Sequence, residues 1–169
     1  MADRDGTALV LELLLPAGND PARALGLMLQ ESFARVGCAL ALSATAGTAL
    51  NARVADGDFD AYVGFWNLGT GFDPRALFHS SYSAVGAQGR NYGGLADDEV
   101  DGFLDVIQRE LDPELQQAAW WGLHRRLYRD LQPYLFLFQP MQRCVWDRGL
   151  GGVRTYRADP GYALREWFR

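Results

Sequence analysis

The sequence is poor in the residues that mark metal sites, disulfide frameworks and membrane spans. Its 169 residues include 2 cysteines and 2 histidines, with no CxxC pair and no spacing typical of metal ligands. The longest apolar runs are far too short to cross a bilayer. The N-terminal stretch "MADRDGTALV" lacks a basic flank followed by an apolar segment. We therefore expect no signal peptide, and a chain that is either cytoplasmic or cut from something longer.

Composition and charge predict one folded, acidic domain. Hydrophobic residues make up 49% and charged residues 22%, which excludes a disordered chain, and 169 residues can enclose one sizeable core. The net charge of −5 and the pI near 4.9 disfavour binding to phosphate backbones, so nucleic acid is not an expected partner. Cys38 heads one apolar segment and Cys144 lies inside another, which predicts two buried, unpaired thiols.

The N-terminal part of the chain predicts a strand, a helix and a second, parallel strand. Hydrophobic residues of both parities over Leu9 to Leu15 indicate a strand covered on both faces. Asp20 is a good N-cap, Pro21 fits the first helical position, and Gly37 is placed to end the helix. The apolar face of this helix is predicted to carry Ala22, Leu25, Leu29, Phe33 and Val36. "CALALSAT" is the second strand, and such crossovers are nearly always right-handed.

The rest of the chain continues the alternation of strands and helices. A short helix is expected in "AGTALNARVADGDF" and a third strand in "DAYVGFW". Two longer helices follow, one from about Asp98 to Leu111 and one from the N-cap Asp112 to Pro133. Their apolar sides are predicted to carry Val100, Phe103, Leu104, Ile107 and Leu111 in the first and Leu115, Ala119, Leu123, Leu127 and Leu131 in the second. "YLFLFQPMQRCVWDRG" predicts another strand of the sheet.

Together these elements predict an α/β fold. We expect a mixed, mostly parallel sheet with helices on both faces, forming a single domain over residues 1–169.

Two acidic clusters are better explained by local structure than by a metal ion. The spacing of Asp56, Asp58 and Asp60 is similar to that of a calcium loop, but the places that need glycine and glutamate hold Ala61 and Asn67. The run "ADDEVD" is able to bind a cation. It is better suited to the start of a helix, where unpaired N–H groups favour negative charge.

No set of residues predicts catalysis. The sequence has no GxSxG elbow, and neither His79 nor His124 stands with a serine or cysteine nucleophile in a recognisable frame. "GTGFDP" holds two glycines of a dinucleotide fingerprint but not the third, and no acidic residue closes a second strand about 20 positions on. We expect no enzymatic activity, no cofactor and no metal, with a hydrolase as the weakest alternative.

The loop after the third strand is suited to binding a small polar molecule. In open parallel sheets, ligands bind outside the carboxyl ends of the strands, which is where "FWNLGTGF" is expected to lie. Its rings offer flat apolar area, its glycines let backbone groups approach a ligand, and Asn67 and Thr70 can donate and accept hydrogen bonds. Because the loop holds no nucleophile or general base, it favours binding over catalysis.

Several segments, in order along nearly the whole chain, resemble one family. They are "LELLLPAGND", "LGLMLQESFARVGCALAL", "GDFDAYVGFWNLGTGFDPRALFHSS", "RNYGGLADDEVDGFLD", "LDPELQQAAWWGLHRRLYRDLQPYLFLFQP" and the closing "LREWFR". Their order and spacing are similar to those of the family 5 solute-binding proteins of peptide, oligopeptide and nickel ABC importers. The third segment looks like that family's apolar strand, tryptophan-rich loop and "DP".

The resemblance implies a fold, partners and a location. Proteins of this family are longer and hold their ligand in a cleft between two lobes. The chain is therefore expected to be a C-terminal fragment, the second lobe, of a parent that is periplasmic or anchored outside the cytoplasmic membrane. The missing N-terminal lobe and the ABC transporter membrane subunits would be its partners, and its apolar cleft face favours dimerisation of the isolated fragment. The alternative is a solute-sensing domain of a transcriptional regulator with the same fold.

The resemblance also implies a set of ligand-binding residues. Direct contacts with the ligand are expected from Trp66, Asn67, Thr70 and Phe72. Asn91 and Tyr92 are expected to hold the following loop in place, and Gln139 and Met141 to line the floor.

The same comparison bears on the ligand itself. Peptide-binding relatives usually carry an aspartate shortly before "DP" that pairs with the peptide's α-amino group, whereas no acid precedes Asp73 in this loop. A desolvated ammonium group without a counter-charge is costly. We therefore expect a sugar, an uncharged or acidic peptide derivative, or a metal chelate as readily as an ordinary peptide.

Overall fold

The chain forms a small parallel sheet followed by a layer of helices. A computed structural model describes residues 9–66, 73–83, 89–139, 143–156 and 163–169. Its strands and helices are β1 (Val10–Pro16), α1 (Asp20–Arg35), β2 (Ala39–Thr45), α2 (Gly47–Ala55), β3 (Ala61–Tyr62), α3 (Arg75–Phe78), α4 (Asp98–Arg109) and α5 (Pro113–Arg125). Short 3₁₀ turns cover Ser80–Tyr82 and Leu164–Glu166, and a π-helical turn extends α5 over Arg126–Leu131. None of the helices in the described ranges is long and apolar enough to cross a membrane.

The sheet has the strand order β2-β1-β3, and both pairings are parallel. β1 pairs with β2 along its whole length, from Val10 opposite Ala39 to Pro16 opposite Thr45. β3 pairs with β1 only at Leu13 and Leu14. The carboxyl ends of all three strands therefore lie at one edge.

Alternate residues of β1 pack against helices on opposite faces of the sheet. Leu13 and Leu15 belong to a buried cluster with Ala22 of α1. Leu14, which is completely buried, packs instead with Leu50 and Val54 of α2. Because α1 and α2 cover opposite faces of the sheet, the predicted α/β class with helices on both faces is confirmed. A strand covered on both faces needs apolar residues at both odd and even positions, and β1 has them.

The ends of α1 show how local sequence sets an element's limits. The N-cap is Asn19, whose Oδ1 accepts from Ala22 N–H (3.0 Å); the assignment of this role to Asp20 was wrong. At the other end Gly37 has φ +78°, its N–H donates to Ala34 O, and Cys38 N–H donates to Phe33 O. These two bonds form a Schellman motif, and the predicted end of the helix at Gly37 is confirmed.

A third buried cluster joins α3, α4 and α5. It consists of Leu77, Phe78, Val100, Leu104, Leu123 and Leu127. The predicted starts of both long helices are confirmed, because Asp97 and Asp112 cap them and Asp98, Glu99 and Asp101 fill the first turn of α4. Leu111 is 93% exposed and Leu115 55% exposed, so their placement on buried faces was wrong.

Two strand predictions need correction. β3 is two residues long, whereas "DAYVGFW" predicted a strand through Trp66. The described residues of "YLFLFQPMQRCVWDRG" form no strand, and Leu135, Phe136, Leu137 and Phe138 are each more than half exposed. Strand propensity depends on a partner strand, and within the described chain neither segment finds one along its length.

The cysteines differ from each other in environment. Both are free thiols, and Cys38 is buried as expected. Cys144 is exposed, which contradicts its predicted burial, because it lies in the same C-terminal segment that forms no strand.

Candidate functional site

The candidate site lies where β1 and β3 end at the same edge of the sheet. Beyond Tyr62 the chain makes one more ladder bond, from Val63 N–H to Leu14 O (3.0 Å). Phe65, just past this point, is 52% exposed, and Trp66 is half-buried. Ligands of open parallel sheets bind at this edge, and contact of Trp66 with a ligand stays a prediction.

Trp66 is held between the helical layer and an arginine. Its ring packs against the buried cluster that joins α3, α4 and α5. The guanidinium carbon of Arg90 lies 5.9 Å from the centroid of the ring. This distance is within the cation–π range of about 6 Å, so the guanidinium lies over the indole face at a favourable distance.

Asn91 ties the loop that follows Arg90 to the end of α3. The side chain is 3% exposed, and its Nδ2 donates to Leu95 O (2.8 Å) and to His79 O (3.2 Å). Its Oδ1 accepts from Leu95 N–H (3.0 Å). One residue earlier, Arg90 N–H donates to Ala76 O (2.6 Å). Both amide hydrogens of Asn91 are thus used within the chain, and the loop beside Trp66 has a defined path.

Three tyrosines, Tyr62, Tyr92 and Tyr134, lie near one another at the carboxyl end of β3. The rings of Tyr62 and Tyr92 meet edge to face at 6.3 Å, and Tyr134 packs edge to face on Phe78 at 5.5 Å. The Tyr62 and Tyr134 hydroxyls are buried and make no hydrogen bond of ordinary geometry to a described group. Burial raises the pKa of both, and each hydroxyl lies close enough to influence the pKa of the other. Both phenols therefore stay protonated at neutral pH.

His79 has a serine neighbour but acts as a local cap. Its Nδ1 lies 2.9 Å from Ser81 Oγ and accepts from Ser81 N–H (3.1 Å), which makes it the N-cap of the 3₁₀ turn. Its Nε2 is 3.8 Å from Asp105 Oδ1, beyond hydrogen-bond distance. Arg75 binds Asp105 and lowers its pKa. Among the described residues, no carboxylate lies within hydrogen-bond distance of the His79 ring to orient it as a general base.

Of the eight predicted site residues, Trp66 follows β3, Tyr92 meets the Tyr62 ring of β3, and Asn91 is bonded to His79 O. Their role in ligand binding stays a prediction. Gln139 is exposed in the stretch after Tyr134, and its predicted place on the floor of the site stays a prediction. Asn67, Thr70, Phe72 and Met141 lie outside the described residues.

Sequence reasoning missed three residues of this site, namely Tyr62, Arg90 and Tyr134. Tyr62 had a usable signal, since it lies in the predicted third strand and ahead of the aromatic loop. Arg90 and Tyr134 had none, because their positions depend on contacts with Trp66 and Phe78 that are distant in sequence. In the parts of the chain that the structure describes, no group of three or more His, Cys, Asp or Glu side chains is arranged to hold a metal ion.

Comparisons with known proteins show which proteins the chain is similar to in sequence and fold. No protein-family model matches the chain. The oligopeptide-binding protein AppA of Bacillus subtilis is 24% identical over 168 residues, which are 98% of this chain and 30% of the relative. The structure of AppA in complex with a nonapeptide superposes with a TM-score of 0.76 over 98% of this chain, at 25% identity.

The chain resembles part of a family 5 solute-binding protein.

Other family 5 structures share the fold with lower coverage. NikZ of Campylobacter jejuni, solved in complex with Ni(L-His), superposes with a TM-score of 0.63 over 76% of this chain, at 20% identity. A periplasmic oligopeptide-binding protein of Thermotoga maritima superposes with a TM-score of 0.66 over 74%, at 18% identity. These family 5 relatives are binding proteins of transport systems and not enzymes. The chain spans 30% of the length of its curated relative AppA.

Proposed function

We propose that this chain is a ligand-binding lobe of an ABC importer substrate-binding protein, and that it captures a small solute in a cleft without transforming it. The observation that carries the proposal is the match of 98% of the chain to AppA with a TM-score of 0.76. That match includes the parallel sheet whose carboxyl edge bears Trp66 and Phe65. Within the described residues this edge offers rings and hydrogen-bonding groups, which suits retention of a solute.

Exposed apolar residues in the C-terminal segment are consistent with a second lobe that forms the other wall of the cleft. Leu135, Phe136, Leu137 and Phe138 expose 70%, 55%, 52% and 63% of their surface, directly after Tyr134 anchors the segment to Phe78. Contiguous apolar surface of this kind marks an interaction site. A parent protein about as long as AppA would supply an N-terminal lobe to cover it. The parent would act at the outer face of the cytoplasmic membrane or in the periplasm, together with ABC transporter membrane subunits.

The solute is proposed to be peptide-like or a metal chelate. AppA was solved with a nonapeptide and NikZ with Ni(L-His), and both share this fold. The regulator alternative gains no support from these relatives, which are transport proteins.

The test is a binding measurement on the full-length parent protein. Native mass spectrometry identifies the co-purified solute, and calorimetry measures its affinity for the wild type, Trp66→Ala and Trp66→Phe. Truncating a central tryptophan typically costs about 2 kcal/mol of binding, so we expect Trp66→Ala to weaken binding about 30-fold. Trp66→Phe, which keeps most of the packing against the helices, should lose less.

A matched control is Trp121→Ala, because Trp121 is 64% exposed on α5 and should not affect affinity. Unchanged affinity of Trp66→Ala with an intact fold contradicts the placement of the site. A parent protein that carries no solute, and binds neither peptides nor nickel–histidine, contradicts the proposed function itself.

A further inference from the structure

The segment from β3 to the loop after Asn91 is poor in acid, although the chain as a whole is acidic. The chain has 21 acidic residues, yet over residues 61–96 only Asp73 is acidic. Asp73 Oδ1 already accepts from Arg75 N–H (2.9 Å). The neighbouring sequence stretches "NLGTGF" and "AVGAQ", at 67–72 and 84–88, contain no acid either. This segment therefore supplies almost no negative charge to balance a positively charged ligand.

Arg90 provides the opposite charge at this edge. Its side chain is exposed and its guanidinium lies 5.9 Å from the Trp66 centroid. Across the described ranges it joins no ion pair, whereas Arg75 pairs with Asp105 and Arg126 with Asp97. A guanidinium over the face of an aromatic ring keeps its N–H groups free to donate.

The position of Arg90 is defined by its surroundings. Its own N–H is bonded to Ala76 O at 2.6 Å, and the next residue, Asn91, is buried and held by three side-chain hydrogen bonds. Hydrogen bonds therefore hold the backbone at Arg90 and at the next residue. Because this backbone is already ordered, less conformational entropy is lost when the guanidinium binds an anion.

We infer that Arg90 binds a carboxylate of the ligand beside Trp66. This deepens the proposed function and rests on it. The two N–H donors along one edge of a guanidinium match the two oxygens of a carboxylate, and such charge-assisted pairs are about twice as strong as neutral hydrogen bonds. A solute with an acidic end is retained here, and one that presents only an ammonium group to this edge is disfavoured. The carboxylate comes either from a peptide terminus or from a chelating amino acid.

The experiment measures affinity in the full-length parent protein with two pairs of probes. The first pair is an N-acetylated nonapeptide with a free C-terminus and the same peptide as its C-terminal amide. The second pair is nickel–histidine and nickel–histidinamide. We expect the carboxylate member of one pair to bind about 10- to 100-fold more tightly than its amide, which corresponds to one charge-assisted hydrogen-bonded contact. The pair that shows the preference identifies the source of the carboxylate.

Variants of Arg90 attribute that preference to one side chain. Arg90→Gln should abolish the preference, and Arg90→Lys, which keeps the charge but not the planar edge, should retain part of it. Arg35→Gln is the matched control, since it removes one positive charge from the last turn of α1, at the opposite edge of the sheet. Among the described residues Arg35 forms an ion pair only with Glu31, at 3.6 Å and exposed to solvent, so the control should bind like the wild type.

The outcomes separate the two proposals. Equal binding of acid and amide, or a preference that survives in Arg90→Gln, overturns the role of Arg90 and leaves the proposed binding function intact. Binding of none of the four probes overturns both.

Discussion

Replacing Asn91 by alanine should destabilise the chain more than any comparable change of a surface asparagine. The substitution removes three hydrogen bonds, at 2.8, 3.0 and 3.2 Å, and leaves Leu95 N–H, Leu95 O and His79 O without their partners. A net contribution of about 1 kcal/mol each gives about 3 kcal/mol. Water that reaches the exposed neighbours Gly93 and Gly94 restores part of this, so we expect a loss of about 2–3 kcal/mol, a large part of a total stability of about 5–15 kcal/mol.

The assay is urea unfolding of the purified chain, followed by circular dichroism and tryptophan fluorescence. Asn51→Ala is the control, because Asn51 is exposed on α2 and alanine is the better helix former. It should leave the free energy of unfolding unchanged or slightly raised. If Asn91→Ala lies within about 0.5 kcal/mol of the wild type, which is the usual range for surface changes, then Asn91 does not hold the loop beside Trp66.

Two further predictions concern the helical layer. Gly102→Ala should raise the free energy of unfolding by about 1 kcal/mol through helix propensity, since a Cβ there meets nothing within 4 Å. Gly122→Ala should lower it instead, because its Cβ would come too close to the Phe103 ring and overpacking costs about 1–3 kcal/mol; equal stabilisation in the two variants would refute this packing. The hydrogen bond from Arg126 lowers the pKa of Asp97, so this pair's stabilisation is complete above the unfolded pKa of about 4 and is lost as pH falls through the lowered folded pKa. Asp97→Asn keeps a good N-cap but removes the charge, and unfolding curves between pH 6 and 3 should show a shallower decline for it than for the wild type; parallel declines would contradict the pair's role.

Elements whose limits are set by near neighbours were predictable. β1, α1 and β2 follow from apolar residues of both parities, from the polar cap and Pro21 at the start of α1, and from Gly37 at its end. The starts of α4 and α5 follow in the same way from Asp97 and Asp112. Each of these features acts within a few residues, through hydrogen bonds to the adjacent backbone. Such signals are therefore legible without knowledge of the tertiary structure.

Elements that need a pairing partner distant in sequence were not predictable from the sequence. The aromatic stretch from Tyr134 onwards has the composition of a buried strand, yet its described residues stay outside the sheet. β3 stops at Tyr62 because it pairs with only two residues of β1. Composition reports the strand propensity of a segment. Whether a strand forms depends on whether the edge of another strand is positioned to pair with it.

The candidate site divides along the same line. The amino-acid sequence by itself determined the class of fold, the aromatic and glycine-rich character of the loop after β3, and the scarcity of acid over residues 61–96. Only the tertiary structure decided that Arg90 lies over the Trp66 ring and that the hydroxyls of Tyr62 and Tyr134 lie near each other. It also decided that Asn91 is buried and makes three side-chain hydrogen bonds. The physical reason is that charge content and local propensity are properties of single residues and short windows, whereas a contact across the fold exists only after helices and strands have packed.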